Sequence, residues 1–293
     1  MKIQSLSIHV PAKCPNKCSF CVSRMHDDTY ENLIEKNDEN LSFFEEEYID
    51  RLAFARDNGC NTIILTGNGE PLMNRTFLQR FAYFNQRLGD KKFRWIEIQT
   101  SGVLLDNNYA GFLRKVIGVK IISLSLSDMF NSERNAFYNN TKKGLEINIP
   151  AICKLIKSWG FGLRLSLNMT DAYNNKSVEE IFDYAKKLGA NQITFRKLYT
   201  TPGKDNPEDK WIMEHSCADS KLHEIREYIK EEGVCPRVLP FGAVRYIVNE
   251  ISTVIDDNCM AKGVLPEDTV KYLILRPNCK LYDQWDNPGS LIY

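Results

Sequence analysis

The sequence predicts an α/β fold in which six parallel strands alternate with helices around a barrel or partial barrel. Three observations carry this. Strand-period and helix-period segments alternate through the first 200 residues, glycines punctuate the helix ends, and the strands keep polar residues on one face. A parallel sheet packed on both sides is apolar throughout, so a polar face implies an interior with work other than packing.

Taken in order, Leu6, Ile8 and Val10 alternate with Ser5, Ser7 and His9, the period of a strand. Ser42 and Glu45 form a capping box for a helix with Phe44, Tyr48, Leu52 and Ala55 on one face, stopped by Gly59. Residues 62–65 are a short buried strand, 75–88 a helix stopped by Gly89, 95–100 a strand, and 109–117 a helix stopped by Gly118. The alternation continues with a strand over 120–126, a helix over 149–159, a strand over 163–168, a helix over 178–188 and a sixth strand over 192–198. After Tyr199 the rhythm breaks. Residues 201–209, rich in Pro, Gly and Asp, read as a linker or surface loop. A helix over 220–232 follows, then two hairpins, 245–254 around Asn249-Glu250 and 272–282 around Pro277-Asn278. The expected organisation is a barrel of residues 1–200 with a small α+β C-terminal cap of residues 201–293.

Composition narrows the function classes. Hydrophobic residues make up 43% of the 293 and charged residues 26%, which excludes disordered, collagen-like and small disulfide-scaffold classes. Basic and acidic residues balance at 38 each, so no bulk attraction to nucleic acid or anionic membrane is implied. Apolar runs such as 121–126 fall far short of the ~18 residues that span a bilayer, and residues 1–10 lack the apolar core of a signal peptide; the expected compartment is the cytoplasm. Nine cysteines, an odd number, argue for thiols and metal ligation over a disulfide framework.

Cys14, Cys18 and Cys21 stand in CPNKCSFC, a C-x3-C-x2-C run directly after the first strand. Three such thiolates can hold three irons of a [4Fe–4S] cluster and leave the fourth open to chemistry. The plainer readings are a zinc site completed by His9 or His26, or simply buried thiols. One βα unit later, TGNGEP, residues 66–71, follows the second strand at its C-terminal end, the functional face of such a sheet. Together the two motifs resemble the radical S-adenosylmethionine (radical SAM) superfamily, whose partial (β/α)6 TIM-like barrel begins with C-x3-C-x-aromatic-C and carries a GGEP-like loop after strand two. Phe20 occupies the aromatic position. The resemblance covers about the first 200 residues.

The resemblance implies that Cys14, Cys18 and Cys21 hold a [4Fe–4S] cluster and that S-adenosylmethionine chelates its open iron. One electron then yields methionine and a 5′-deoxyadenosyl radical that abstracts hydrogen from substrate. Gly67, Asn68, Gly69, Glu70 and Pro71 form the loop that in the family presents backbone acceptors to the cofactor's amino group. Asn68 departs from the usual glycine, a position where asparagine tolerates positive φ. The family's fourth and fifth strands supply polar side chains to methionine carboxylate and ribose. Ser125 and Ser127 share one face of SLSLSD, and Arg164, Ser166 and Asn168 one face of LRLSLN, so Ser125, Ser127, Ser166 and Asn168 are cofactor-binding candidates, alongside hydrogen bonding inside the barrel. Thr100 and Ser101 sit at the same rim, and Arg196 either neutralises a carboxylate or forms a structural ion pair.

Cys60 and Cys153 read as buried thiols. Cys217, Cys235, Cys259 and Cys279 lack the local pairing of an auxiliary cluster, so one cluster per chain is expected. Trp211, His215, Arg245, Tyr246, Arg276 and Trp285 suit a substrate pocket or a packed small domain. Only 13 residues precede Cys14, so a peptide maturase that carries its own leader-binding module is not the expectation. The expected function is hydrogen abstraction from a small metabolite or nucleotide, with electrons from an external donor such as flavodoxin or ferredoxin. The alternatives are a peptide- or protein-modifying maturase and, of another class, a non-catalytic iron–sulfur or zinc protein.

Overall fold

A computed structural model describes residues 2–26, 44–201, 206–238, 244–256, 269–287 and 289–293. The alternating amino terminus forms strand β1 (Lys2–His9), followed after the cysteine loop by the short helix α1 (Val22–Met25). Helix α2 (Glu45–Asp57) buries Tyr48, Leu52 and Ala55, the face expected for it. Its N-cap is Phe44, with no side-chain cap, and the expected cap Ser42 lies outside the described residues. Then come β2 (Thr62–Thr66), α3 (Arg75–Arg87), β3 (Trp95–Thr100), α4 (Asn107–Phe112), β4 (Ile121–Leu126), α5 (Ser132–Tyr138), α6 (Ile149–Ser158), β5 (Gly162–Asn168), α7 (Val178–Lys187) and β6 (Gln192–Arg196). Asp106 caps α4 by accepting from the Tyr109 amide, and a π turn, Leu113–Ile117, carries that helix to Gly118 at φ 83°.

Helix α5 is absent from the sequence-based expectation, although Asn131 accepts from the amides of Glu133 and Arg134 and so caps it in the ordinary way. The expected linker also needs correction. Helix α8 (Pro207–His215) begins inside it, with Asn206 as N-cap and Pro207 in the first turn, where a missing N–H costs nothing. Helix α9 (Asp219–Glu232) and strands β7 (Val234–Val238), β8 (Val244–Val248), β9 (Ile251–Asp256), β10 (Thr269–Leu275) and β11 (Leu281–Tyr282) complete the described chain. Both expected hairpins are present, as β8–β9 and β10–β11.

The strands form one sheet in the order β11-β10-β1-β2-β3-β4-β5-β6-β9-β8-β7, with β1 to β6 parallel in sequence order. This is the α/β partial barrel that the alternation implies. The C-terminal strands extend it on both sides, β10 parallel to β1 and β9 parallel to β6. Leu163, Leu165 and Leu167 of β5 are fully buried, each burial contributing about 2 kcal/mol. The alternate residues are polar, and register aligns them in rows across the strands. Ser123, Arg164, Gln192 and Ser252 form one row, Ser125, Ser166 and Thr194 the next, and Asn168, Arg196 and Asp256 the one nearest the carboxyl ends.

Arg164 ties the lowest row to Glu97 of β3. Arg164 donates to Glu97 at 2.6 Å and to Gln192 at 2.8 Å, and burial holds the Glu97 carboxyl above its ordinary range against the pull of Arg164 and Arg196. Below it a cavity of 510 Å³, lined by Ser5, Thr62, Trp95, Glu97 and Arg164 among others, opens at the amino ends of the strands, away from the two motif loops. No helix among the described residues is long and apolar enough to cross a membrane.

The β8–β9 turn supplies a stability test. Asn249 and Glu250 have φ of 49° and 70°, a left-handed pair suited to a tight hairpin. For glutamate that conformation costs about 1–2 kcal/mol, more than the ~0.4–1 kcal/mol of chain freedom that glycine adds to the unfolded state. The Lys186–Glu250 pair, with Glu250 85% exposed, contributes little against this. Glu250→Gly is expected to raise stability by roughly 0.5–1 kcal/mol, read as a higher urea midpoint at unchanged slope.

Candidate active site

The two motif loops are fastened to one another by backbone contacts. The Val10 amide donates to the Thr66 carbonyl at 2.7 Å, the Glu70 amide to the Lys13 carbonyl at 3.1 Å, and the Asn74 side chain to the Pro11 carbonyl at 2.7 Å. A Cβ on Gly67 would lie 2.5 Å from the Val10 oxygen, and one on Gly69 1.9 Å from the Ala12 oxygen. Neither glycine has positive φ, nor has Asn68. The loop therefore needs glycine for close approach, and what it approaches is the chain's own backbone on the way to Cys14. This corrects the expectation that Asn68 serves for its tolerance of positive φ.

Glu70 is 2% exposed, and its carboxylate is fully engaged. One oxygen accepts from the Thr100 hydroxyl at 2.7 Å and the Leu72 amide at 3.2 Å, the other from the Ser101 amide at 2.8 Å and hydroxyl at 2.6 Å. Glu70 and Thr100, expected to bind cofactor, thus spend their side chains on joining the loop after β2 to the end of β3. Pro71 is buried in the short turn that follows.

Cys14 is exposed, with Cys18 and Cys21 half-buried. Desolvation of the thiol by the surrounding loop raises Cys14 to about 11 although the residue as a whole keeps exposed surface, with the neighbouring charges of Glu70 and Cys21 adding to it. Cys18 is pushed up by burial and then by Cys21 and Cys14, so the three thiols lie within electrostatic reach of one another. Among the described residues no three His, Cys, Asp or Glu side chains converge as a single ion requires. A four-iron cluster spreads its thiolates wider than one ion does, and a soft, all-thiolate donor set suits it. His9 and His26, the expected fourth ligands of a zinc site, are buried elsewhere: His9 bonds to Asn68 and Arg276, and His26 packs beside Tyr199.

Helix α5 and helix α8, which the sequence reading does not include, brace the cysteine loop. Asn139, at the end of α5, accepts from the Cys18 thiol at 3.7 Å and from the Ser127 hydroxyl at 2.8 Å, while its carbonyl accepts from the Lys17 amide at 3.2 Å. Ser127, fully buried, is occupied by this bond and is a brace. Arg24 donates to the Lys17 and Cys18 carbonyls and pairs with Glu208 of α8 at 2.7 Å. Phe20 is 9% exposed and packs on Trp211, with ring centres 5.5 Å apart, and Trp211 stacks on His215 at 4.5 Å. Tyr138 donates to Asp171 and accepts from Arg134 at 2.8 Å.

On the inner face Ser125 and Asn168 are half-buried, whereas Ser166 is buried. Arg196 stands 4.0 Å from Asp256 and acts on Glu97, so it belongs to an ion network inside the barrel. Trp211 and His215 lie beside the cysteine loop. Arg276 is fully buried beside β1, and Arg245 bonds to Ser252 on the outer hairpin, so the residues that suit a substrate pocket or a packed small domain lie in different parts of the C-terminal unit. Cys279 lies in the β10–β11 turn and Cys235 on β7, at opposite edges of the sheet; Cys217 is buried after α8, and Cys259 lies outside the described residues.

Comparison with known proteins agrees with this layout. A family profile described as the Radical SAM superfamily matches residues 8–158, half of the chain. The chain belongs to the radical SAM superfamily. It is therefore an enzyme of a family that uses S-adenosylmethionine with an iron–sulfur cluster. It is 23% identical over 236 residues to an S-adenosylmethionine-dependent nucleotide dehydratase of Thermoplasmatales archaeon (strain ISO4-H5), covering 79% of this chain and 74% of that one. Among solved structures it is similar to native anSMEcpe with bound AdoMet, at 16% identity and TM-score 0.62 over 96% of this chain and 74% of the other. The same enzyme with a bound peptide aligns at 17% identity and TM-score 0.54, over 79% of this chain and 61% of that one. Methylornithine synthase aligns at 16% identity and TM-score 0.50, over 77% and 61%.

Two outcomes follow for this radical SAM chain. Glu70→Ala leaves the buried donors of Thr100, Leu72 and Ser101 without an acceptor and is expected to cost roughly 3 kcal/mol, measured by urea unfolding of the metal-free protein. His9 falls to about 3, through burial first and Arg276 second. The folded state therefore binds fewer protons than the unfolded chain, and stability is lost as pH falls from 6.5 toward 3. His9→Gln should flatten that slope in a pH series of unfolding midpoints.

Proposed function

We propose that Cys14, Cys18 and Cys21 hold a [4Fe–4S] cluster, that S-adenosylmethionine binds over it against the loop of residues 67–71, and that the enzyme removes water from a nucleotide. The observation that carries the cofactor reading is the direct fastening of loop to loop, with the 1.9 Å approach at Gly69 and the Glu70 to Lys13 bond. It ties the cysteine loop and the glycine loop into one rigid rim at the carboxyl ends of β1 and β2. When bound, cluster and cofactor supply one-electron reductive chemistry and hydrogen abstraction.

The chain's own residues bind, orient and exclude water. Backbone acceptors of residues 67–71 suit the cofactor's amino group, and Ser125 and Asn168, half-buried on the inner face, remain the side chains best suited to its carboxylate and ribose. Phe20, within the cysteine loop, packs on Trp211. Reactive intermediates demand a sealed site, and α8 supplies part of that seal through the Arg24–Glu208 pair.

A nucleotide is supported by the relative's activity, shared over most of both chains, and by the polar rows of the inner face, which offer hydrogen bonds to sugar and base. Dehydration is the reaction that relative is named for. Electrons would come from an external flavodoxin or ferredoxin.

Anaerobically reconstituted, reduced protein is expected to cleave S-adenosylmethionine to 5′-deoxyadenosine slowly, and faster with the correct nucleotide, giving a product lighter by one water in mass spectrometry. Cys18→Ala should abolish cleavage. Gly69→Val should lower both iron content and cofactor affinity, since the Ala12 backbone must move. Cleavage stimulated by a peptide and by none of the nucleotides would replace the substrate assignment.

A further inference from the structure

We propose that His9 and Arg276 are positioning residues for S-adenosylmethionine, fixing the side chain of Asn68 in the glycine loop from the far end of the chain. The inference rests on the reading that residues 67–71 bind the cofactor.

The argument starts from the departure at Asn68. A residue in a glycine's place is usually explained by backbone conformation, yet Asn68 does not have positive φ. Its side chain has a partner instead. The Asn68 Oδ1 lies 3.1 Å from His9 Nε2, and His9 Nδ1 lies 3.2 Å from a guanidinium nitrogen of Arg276. A guanidinium only donates, so Nδ1 accepts, the imidazole proton sits on Nε2, and it points at Asn68. Arg276 thus selects the tautomer that holds the loop.

Arg276 is in turn immobilised. It is fully buried, donates to the Trp285 carbonyl at 2.6 Å, and lies 5.3 and 5.5 Å from the ring centres of Tyr282 and Trp285, within cation–π range. Trp285 also packs on His9, with ring centres 6.0 Å apart. Sheet register creates the alignment, because β1 and β10 pair Ile8 with Leu275 and so bring the next residues, His9 and Arg276, side by side. Burying an arginine is costly unless it is well bonded, and here its direction serves one buried histidine.

The test is a double-mutant cycle on the reconstituted protein, with isothermal titration of S-adenosylmethionine and iron counted per chain. His9→Phe keeps a flat aromatic ring and removes both bonds. It is expected to raise the cofactor Kd by about three- to tenfold, the range of one lost hydrogen bond, with iron content unchanged. In the Asn68→Gly background the same His9→Phe change should have no effect on Kd, because the partner is gone. His9→Gln, which retains an N–H near the Nε2 position, should recover part of the affinity. An equal fold-change in both backgrounds would make His9 merely structural and overturn the proposal.

A second readout needs no cofactor. In the metal-free chain, nitrogen NMR of labelled histidine should find His9 with its proton on Nε2 and neutral throughout pH 5–8. Arg276→Gln should weaken that preference, and a proton on Nδ1 in the unmodified chain would overturn the relay even if His9→Phe fails to fold. Absence of S-adenosylmethionine binding with a normal tautomer would instead refute the loop's role as cofactor site, leaving the relay intact but without this purpose.

Discussion

The carboxylate of Glu70 is the constraint on which the rim of this barrel depends. A buried, unpaired charge is among the most expensive groups a protein can hold. Here two oxygens accept four hydrogen bonds, all from three residues on two neighbouring βα loops. Those bonds offset desolvation only while both loops keep their places. The same residue's amide bonds to Lys13, so the cysteine loop is held by the backbone of the residue whose side chain holds the end of β3. Order in the three loops is therefore one cooperative event.

Much of this was legible in sequence. Six alternating strands, most helix stops and both hairpins follow from period and punctuation, and CPNKCSFC with TGNGEP carries the family. The inner rows of Ser125, Ser166 and Arg196 follow from strand parity. What sequence could not supply was partnership. Glu70, Thr100 and Ser127 have the chemistry of cofactor ligands, yet each is engaged with another part of the chain, which only tertiary geometry decides. Helices α5 and α8 were obscured because they are short and lie among Asn, Pro and Asp residues that also signal turns. Asn131 and Asn206 are their N-caps, so the signal was present and had two meanings.

The polar residues of the barrel divide by height. Near the amino ends, Glu97, Arg164 and Gln192 satisfy one another and close the floor above the lower cavity. In the middle, Ser125, Ser166 and Thr194 leave hydrogen-bonding capacity facing inward. Toward the carboxyl ends, Asn139, Asp171 and Glu208 bind back to helices and loops, where they brace the walls.

The pairing of β1 with β10 has a consequence for how the molecule comes into being. His9 meets Arg276 across 267 positions of sequence, and Ser5 meets the Lys271 carbonyl across 266. Contacts of such separation carry a loop-closure cost and form late. During synthesis β1 through β6 emerge and can pair in order, but the outer edge of β1 stays open until the tenth strand has been made. Unpaired strand edges invite association with other chains. The nascent barrel therefore passes through a stage in which its first strand is a sticky edge beside a loop of three free thiols. Its safe arrival depends on how soon the last hairpin docks and closes that edge.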